Sequence, residues 1–347
     1  MKLGKKVYIG MSGGVDSSVS AYLLKKQGYD VTGVFIRVWQ PENGECTWKD
    51  ERRDAMRVCA HLDIPFVTLD LREEYKKGVV DYMFHEYSIG NIPNPDVMCN
   101  REVKFGAFYS WAKANGADYI ATGHYAQNVN NTLWEGKDKN KDQSYFLWTL
   151  ELYEMAHILF PVGHLDKSEV RKLALKAKIP VFDKKDSQGV CFLGQIDMKE
   201  FLKQHIETNK GNVVNKDGNV IGEHDGAVLY AIGERHGFTI FKNTNNQERL
   251  YITSKNIHAN TITVGAEVKI DNTVDKGILV KNIVLRNGLD TIKTCRLRYR
   301  QEKIQIKSIE KEYSYYRVVL EKPEMYSAGQ SIVFYNDNIC IGGGVMM

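Results

Sequence analysis

The chain has 347 residues, of which 43% are hydrophobic and 26% charged, close to the averages of folded globular proteins. This length predicts two or three domains, and a net charge of only +4 excludes a strongly polycationic protein. No apolar stretch approaches the ~20 residues of a membrane helix. The N-terminus leads straight into an apolar strand, so we expect a cytoplasmic protein without a signal peptide.

Strand-like and helix-like segments alternate in the first half of the chain. Apolar, β-branched runs predict strands at Val7–Gly10, Val31–Val38, Phe66–Leu71 and Tyr119–Thr122. Apolar residues at helical spacing predict helices at Ser17–Gln27, Asp50–Leu62, Glu73–Tyr87 and Asn100–Asn115. This alternation predicts an α/β fold with a parallel, Rossmann-like sheet that is covered by helices on both faces.

Beyond about residue 205 the segments become short and β-rich, with turn signals at Lys216–Asn219 and His224–Gly226. Alternating strands continue to the end, among them Cys295–Arg300, Arg317–Leu320 and Ser331–Tyr335. We therefore predict a catalytic α/β domain over residues 1–204 and a small β-rich central domain over 205–267. A terminal β-barrel or sandwich would follow over 268–347.

The net positive charge is concentrated in the last of these regions. Residues 268–347 hold 13 Lys and Arg against 9 Asp and Glu, a surplus of 4 that equals the net charge of the chain. An ordinary solvated surface would explain this surplus as well as a nucleic-acid partner would. Charge therefore suggests such a partner without establishing it.

A glycine-rich loop follows the first predicted strand, at Gly10-Met11-Ser12-Gly13-Gly14-Val15-Asp16-Ser17. Adjacent glycines let the backbone approach a ligand closely, and the next helix points its free N–H groups towards an anion. The loop lacks the lysine of the GxxxxGK[ST] phosphate loop. It resembles the loop of the pyrophosphatase-loop superfamily, whose members cleave ATP between the α and β phosphates and adenylate a carbonyl oxygen. Superfamily members use ammonia, an amine or sulfur as nucleophile, and the loop does not discriminate among them.

Cys99 lies in a turn-forming stretch, Pro93–Asn100, that leads into a predicted helix. If Asn100 caps that helix, Cys99 sits at its positive end, which lowers the pKa of a thiol and favours the thiolate. Arg101 and Lys104 would act in the same direction. Asp96 supplies a carboxylate three residues before the sulfur and is a candidate proton carrier.

The other cysteines differ in their settings. Cys191 lies in a polar, glycine-containing segment, Lys184–Gly194, that is typical of a mobile loop, whereas Cys59 lies on an apolar helical face and is typical of a core residue. The six cysteines include no CxxC pair, which argues against a zinc site or a local redox motif.

Six motifs in this order carry a resemblance to one family: GMSGGVDSS, NPDVMCN, ATGHYA, KDQSYFLW, FPVG and KDSQGVCF. Together with RYRQ and GQSIVFYN near the end, they make the whole chain similar to the bacterial tRNA-specific 2-thiouridylase (MnmA) family. The resemblance implies a pyrophosphatase-loop domain, a tRNA-contacting central domain and a C-terminal β-barrel. It also implies ATP and Mg²⁺ as cofactors, tRNA as substrate, and a sulfur donor protein as partner.

The resemblance further implies roles for individual residues. Gly10–Ser17, Ile36 and Gly123 would bind ATP; Cys99 would be the nucleophile and Cys191 the persulfide carrier, the two ending the cycle as a disulfide. The residues implied in tRNA contact are Asn94, Pro95, Asp96, Lys141, Asp142, Gln143, Arg298 and Tyr299.

Three sequence features qualify this picture. Ile36 stands where relatives often have Met, which keeps an apolar wall. Ile232–Phe238 matches a segment more often written LGQRKGL and carries less positive charge, so RNA contact there would be weaker. Arg296, Arg298 and Arg300 would share one face of a strand, where a solvated basic edge is the alternative to phosphate contact.

Three alternative functions remain open at this point. An adenylating ligase with a nitrogen nucleophile would use the same loop but neither cysteine. A non-catalytic tRNA-binding protein would bind without releasing pyrophosphate. An iron–sulfur-dependent thiolase would need Cys99 and Cys191 as cluster ligands, and no third cysteine is obviously placed to help.

Overall fold

The computed structural model describes residues 4–41, 48–186, 197–241, 249–266 and 277–347. The strands are β1 (Lys6–Gly10), β2 (Asp30–Arg37), β3 (Phe66–Asp70), β4 (Tyr119–Ala121), β5 (Ala126–Val129), β6 (Thr132–Glu135), β7 (Ile158–Leu159), β8 (Gly211–Val214), β9 (Val220–His224), β10 (Phe238–Ile240), β11 (Tyr251–Asn256), β12 (Thr261–Gly265), β13 (Ile278–Leu285), β14 (Thr294–Arg296), β15 (Ile304–Glu312), β16 (Tyr315–Leu320), β17 (Ser331–Asn336) and β18 (Ile339–Met346).

The α-helices are α1 (Val15–Lys26), α2 (Trp48–His61), α3 (Arg72–Tyr75), α4 (Tyr82–Ser88), α5 (Pro95–Met98), α6 (Phe108–Ala114), α7 (Leu152–Met155), α8 (Lys167–Lys176) and α9 (Met198–Lys203). Two π-helical stretches, Lys76–Asp81 and Cys99–Ala107, connect α3 to α4 and α5 to α6. Short 3₁₀ turns occupy Ser144–Leu147, Ala227–Leu229 and Leu289–Thr291. None of these helices, within the described ranges, is long and apolar enough to cross a membrane.

The first sheet contains five parallel strands in the order β3-β2-β1-β4-β7, which confirms the predicted α/β class. Side chains of β1 alternate between its faces as expected for a strand. Val7 and Ile9 pack on the face that is covered by α1 and α8, while Tyr8 packs on the other face with Phe108 of α6. The sheet is therefore buried on both sides, which explains the nearly continuous apolar runs of its strands.

A second sheet of five strands, in the order β10-β9-β8-β12-β11, follows in the chain. Both turn signals of this region are confirmed: Gly218, at φ +83°, turns between β8 and β9, and Gly226, at φ +133°, follows β9. This region packs against the parallel-sheet region near α9. Phe201 of α9 and His205, just after it, contact Phe84 of α4.

The last six strands form a closed antiparallel barrel in the order β13-β16-β15-β14-β17-β18, which is closed by pairing between β13 and β18. The hairpin β5–β6, from the first half of the chain, adds to the barrel sheet at β18. The predicted strand Cys295–Arg300 was too long, since β14 ends at Arg296. A turn follows, in which Arg300 adopts φ +63°, so the three arginines do not share one strand face.

Candidate active site

The glycine-rich loop closes on itself through its serines. The Ser12 N–H donates to Ser17 Oγ at 3.3 Å, and the Gly14 N–H donates to Ser12 Oγ at 3.3 Å. Gly13 adopts φ +72°, and a Cβ there would lie 2.4 Å from the Glu51 carbonyl oxygen, so only glycine fits. The loop thus turns directly into α1, whose N-cap Gly14 supplies no side-chain cap, as expected where a helix N-terminus binds an anion.

Strand order explains why distant motifs meet at this loop. The chain runs from β1 outwards to β3 and then returns to β4 on the other side of β1, so the loops after β1 and β4 diverge at a topological switch point. Gly123, just beyond β4, packs so closely on α1 that a Cβ there would lie 2.7 Å from the Ser17 nitrogen. Ile36 lies two residues beyond Val34, the residue that pairs with Gly10, at the same edge of the sheet.

An ion-pair cluster lies beside the loop. Lys167, the first residue of α8, places Nζ 2.7 Å from Asp16 Oδ1 and 2.7 Å from Asp186 Oδ1. Tyr125 donates its hydroxyl to Asp16 Oδ1 at 2.8 Å. Lys167 of α8 thus places beside the glycine-rich loop the positive charge that the loop itself lacks.

Asp186 is the second centre of this cluster. It accepts from Lys141 Nζ at 2.7 Å and from Arg171 Nη2 at 2.8 Å, in addition to Lys167. Partial burial acts to raise the pKa of the Asp186 carboxyl, but hydrogen bonds from Lys141 and Lys167 outweigh it and hold the pKa at about 2. Lys184, two residues earlier, donates to the Gly13 carbonyl at 3.2 Å and to Asp54 at 2.8 Å. Hydrogen bonds and ion pairs therefore join Lys184 and Asp186 to the glycine-rich loop, which is called the phosphate loop below.

The helix that carries Cys99 begins earlier than the sequence analysis expected. Asn94 caps it, since Asn94 Oδ1 accepts from the Val97 N–H at 3.3 Å, and Pro95 is its first residue. The prediction of Asn100 as N-cap was wrong: Asn100 is buried and donates to the Phe146 carbonyl at 3.0 Å. Cys99 lies one turn inside the helix, where the dipole effect on a thiol is weaker than at the end.

Cys99 is 3% exposed and starts a π-helical stretch, a feature that is frequent at functional sites. Burial raises the pKa of the Asp96 carboxyl, and the charge of Lys104 partly opposes this rise. A carboxyl group with a raised pKa, three residues before a cysteine on the same helix, can take up or release a proton closer to neutral pH. Arg101, which was expected to favour the Cys99 thiolate, donates its Nε–H to Glu102 Oε1 at 2.7 Å.

The helical segment that carries Cys99 packs beside the glycine-rich loop. The helical segment from Pro95 to Ala114 crosses the sheet, and a Cβ on Gly10 would lie 4.0 Å from Phe108 of this segment. Cys99 lies nine residues before Phe108 on this segment, a helical rise of about 13 Å.

The three neighbouring residues Lys141, Asp142 and Gln143 have different environments. Lys141 pairs with Asp186, as described above, and Gln143 Oε1 accepts from the Tyr125 N–H at 2.9 Å. Asp142 is 3% exposed and contacts Arg296 at 2.9 Å, which joins the segment to the barrel. In this conformation the Asp142 carboxylate stabilises an internal interface and does not face solvent.

Arg298 and Tyr299 lie in the turn after β14. The Arg298 side chain is 57% exposed, with the nearest carboxylate, Glu324, at 3.9 Å. Gln301 Oε1 accepts from the backbone N–H groups of Leu297 and Arg298 at 2.9 and 3.2 Å, which fixes the turn. The Tyr299 ring packs on Phe146 with centroids 4.5 Å apart. Arg298 is thus presented to solvent while Tyr299 anchors the turn.

Glu234, in the segment that departs from its usual sequence, is neutralised within the protein. Its Oε1 accepts from Lys199 Nζ at 2.5 Å, and its Oε2 accepts from the Ala231 N–H at 3.1 Å. The unusual negative charge is therefore balanced by α9.

Sequence reasoning missed Lys167 and Asp186 as members of the site. Asp166 and Glu169 form a capping box at the start of α8, and this signature could have located the helix end that presents Lys167. Cys191 lies outside the described residues. Cys59 is confirmed as a core residue, since it is fully buried and burial raises the pKa of its thiol to about 12. Within the described ranges, no group of three or more His, Cys, Asp or Glu side chains is arranged to hold a metal ion.

Comparison with known proteins gives full-length matches. Residues 5–195 match the tRNA methyl transferase HUP domain, 199–266 the tRNA methyl transferase PRC-barrel domain, and 276–346 the aminomethyltransferase beta-barrel domain. The chain is 41% identical to tRNA-specific 2-thiouridylase MnmA of Colwellia psychrerythraea, covering 98% of this chain and 95% of that protein. It is also 41% identical to the protein of that name from Halalkalibacterium halodurans, with 98% and 94% covered, and 40% identical to that from Enterococcus faecalis, with 98% and 95% covered.

Proposed function

This chain belongs to the tRNA-specific 2-thiouridylase family, and we propose that it replaces the C2 oxygen of the wobble uridine in a tRNA anticodon with sulfur, at the expense of ATP. The observation that carries this proposal is that the helical segment bearing the buried thiol of Cys99 packs against the phosphate loop, since a Cβ on Gly10 would lie 4.0 Å from Phe108 of that segment. A nitrogen-transferring ligase would need the loop but would leave this cysteine without a role.

ATP would bind with its phosphates on Gly10–Ser17 and its adenine against Ile36, and Gly123 would close the pocket. Lys167 would exchange its carboxylate partners for the β and γ phosphates and stabilise the charge of the leaving pyrophosphate. Mg²⁺ would arrive with ATP, because this ion is usually held by substrate phosphates and one or two carboxylates. Asp16, which lies on the loop and is 31% exposed, is the carboxylate placed to contribute. The ion would neutralise phosphate charge.

The target uridine would leave the anticodon stack and enter the site near Asn94, Pro95 and Asp96, as bases commonly do when an enzyme acts on them. Its C2 oxygen attacks the α-phosphorus, the bond to pyrophosphate breaks, and the base becomes adenylated. Asp96, with its raised pKa, would carry the proton that moves during these steps.

Sulfur would arrive as a persulfide on Cys191. In one order of events, the terminal sulfur attacks C2, AMP leaves with the former C2 oxygen, and Cys99 thiolate attacks Cys191 Sγ. In the other, Cys99 attacks first and releases hydrosulfide, which then attacks C2. Both orders end with the same products: 2-thiouridine, AMP and a Cys99–Cys191 disulfide. An external thiol must then reduce this disulfide.

Further parts of this proposal concern partners and boundaries. The tRNA substrates would be those for Glu, Gln and Lys, with Lys141, Asp142, Gln143, Arg298 and Tyr299 forming or supporting the RNA-binding surface. The sulfur donor would be a cysteine desulfurase or a sulfur relay protein. The cytoplasm is where such a substrate is found. The domains would span residues 1–204, 205–267 and 268–347.

The decisive experiment is mass spectrometry of nucleosides from unmodified tRNA after incubation with enzyme, Mg²⁺, a sulfide source and ATP. We expect a 2-thiouridine peak that is absent without ATP and absent with an ATP analogue that cannot be cleaved between the α and β phosphates. Pyrophosphate release without 2-thiouridine would favour the nitrogen-transferring alternative. Absence of both would contradict the assignment of the phosphate loop.

A further inference from the structure

A turn of the C-terminal barrel, Ser327–Gln330, packs against the loop that leads into the Cys99 helix. The Ile92 N–H donates to the Ala328 carbonyl at 2.8 Å. In the other direction, Gln330 Nε2 donates to the Ile92 carbonyl at 2.7 Å and reaches the Pro93 carbonyl at 3.4 Å. These contacts join residues that are more than 230 positions apart in the sequence.

The turn itself is held rigidly by the barrel. The Gly329 N–H donates to the Met346 carbonyl at 2.8 Å, and the Met346 N–H donates to the Gln330 carbonyl at 2.9 Å, so β18 fixes both residues. Gly329 adopts φ +91°, and a Cβ there would lie 2.8 Å from the Ile92 nitrogen. Glycine is therefore required both by the backbone conformation and by the close approach.

The loop that Gln330 holds sets the start of the catalytic helix. Pro93 is buried and directly precedes Asn94, the N-cap, and Pro95, the first helical residue. Proline has a fixed φ and restricts the residue before it, so a displacement of the Pro93 carbonyl is passed on to the helix start. Asp96 and Cys99 follow within the next turn and a half.

A second contact from the barrel supports the same helix from another side. Tyr299 packs on Phe146, and the Phe146 carbonyl accepts the hydrogen bond from Asn100, the residue next to Cys99. Tyr145, adjacent to Phe146, donates its hydroxyl to the Ser331 carbonyl at 2.9 Å. The barrel therefore contacts the loop before Asp96 directly and supports Asn100, the residue after Cys99, through Phe146.

We propose that Gln330 is a positioning residue for thiolation: its side-chain amide fixes the 92–94 loop and thereby the placement of Asp96 and Cys99. The barrel thus shapes the reaction site in addition to any contact that it makes with RNA. The predicted effect on kcat rests on the proposed function, whereas the claim that Gln330 fixes the 92–94 loop does not. Small displacements of catalytic groups lower rates strongly, about 100-fold for 1 Å.

The test compares Gln330→Met, which has similar length but no donor, with Gln305→Met on an exposed position of β15. We expect Gln330→Met to lower kcat for thiolation at least tenfold, with KM for tRNA within twofold of the parent value. Amide hydrogen exchange should accelerate at least tenfold over residues 92–99 and remain unchanged in β17. Gln305→Met should match the parent protein in every measurement.

Three outcomes would overturn the proposal: an unchanged kcat, a change in tRNA KM alone, or unchanged exchange over residues 92–99. If Gln330→Met does not fold, Gln330→Glu keeps the shape and removes the donor, and the same criteria apply. If the parent protein itself forms no 2-thiouridine, the proposed function fails, while hydrogen exchange still decides whether Gln330 fixes the loop.

Discussion

Lys167 Nζ lies 2.7 Å from Asp16 Oδ1, although 151 positions separate the two residues in the sequence. The Lys167 side chain is only 14% exposed, and it also contacts Asp186 at 2.7 Å. The phosphate loop therefore already has a cation beside it, held by carboxylates that phosphate oxygens can replace. This arrangement links the phosphate loop to Asp186 and its other partners, Lys141 and Arg171.

Replacement of Lys167 tests this link. We expect Lys167→Met to slow ATP-dependent pyrophosphate release by about 100-fold, because a preorganised charge next to the leaving group is lost. Lys137→Met is the matched control, since Lys137 is about half exposed and pairs with Glu169 of the same helix. Equal rates for Lys167→Met and Lys137→Met would remove Lys167 from the nucleotide site.

The cysteines have separable roles in the proposed reaction. Cys99→Ser and Cys191→Ser should each abolish 2-thiouridine formation while pyrophosphate release persists, because adenylation precedes sulfur transfer. Cys59→Ala should retain thiolation and lose about 1–2 kcal/mol of unfolding free energy, because Cys59 is a fully buried core residue. Loss of pyrophosphate release in both Ser variants would contradict these roles.

The Asp186 cluster predicts a pH dependence of stability. Because the folded-state pKa of Asp186 is about 2, below its usual value of 3.8, its stabilising contribution is fully present above about pH 4. That contribution is lost as the pH falls towards 2. Urea unfolding should therefore show Asp186→Asn to be less stable than the parent protein at pH 7, with the difference shrinking at pH 3. Asp183→Asn, at an exposed position nearby, should show no such difference; a gap for Asp186→Asn that stays constant with pH would argue against the ion cluster.

Arg298 is an exposed residue of the turn after β14, and its replacement tests contact with RNA phosphate. Arg298→Ala should weaken tRNA binding and reduce the slope of log K against log salt by about 1, because one phosphate contact and its released counterion are lost. Lys311→Ala, at an exposed position on β15, serves as a control for net charge. A slope that changes equally in the two variants would indicate a general charge effect.

Local signals located much of this protein correctly. The four strands and four helices that were predicted up to Thr122 match the structure to within a few residues, because apolar periodicity in a parallel α/β sheet is strong. The errors fell where tertiary contacts override local preference. Asn94, rather than Asn100, caps the Cys99 helix because Asn100 is drawn to the Phe146 carbonyl. Strand β14, which begins at Thr294, ends at Arg296 because Gln301 holds the following residues in a turn.

The sequence by itself determined the phosphate loop and the presence of a cysteine three residues after Asp96 in a turn-forming stretch. The glycine-rich turn and the apolar periodicity of strands and helices depend on neighbouring residues, and these can be read along the chain. Only the tertiary structure decided that Lys167 reaches Asp16 and that Gln330 holds the loop before Cys99. Contacts across 151 and 238 positions depend on strand order and domain packing. Those are set by burial of apolar surface over the whole chain and by no local pattern.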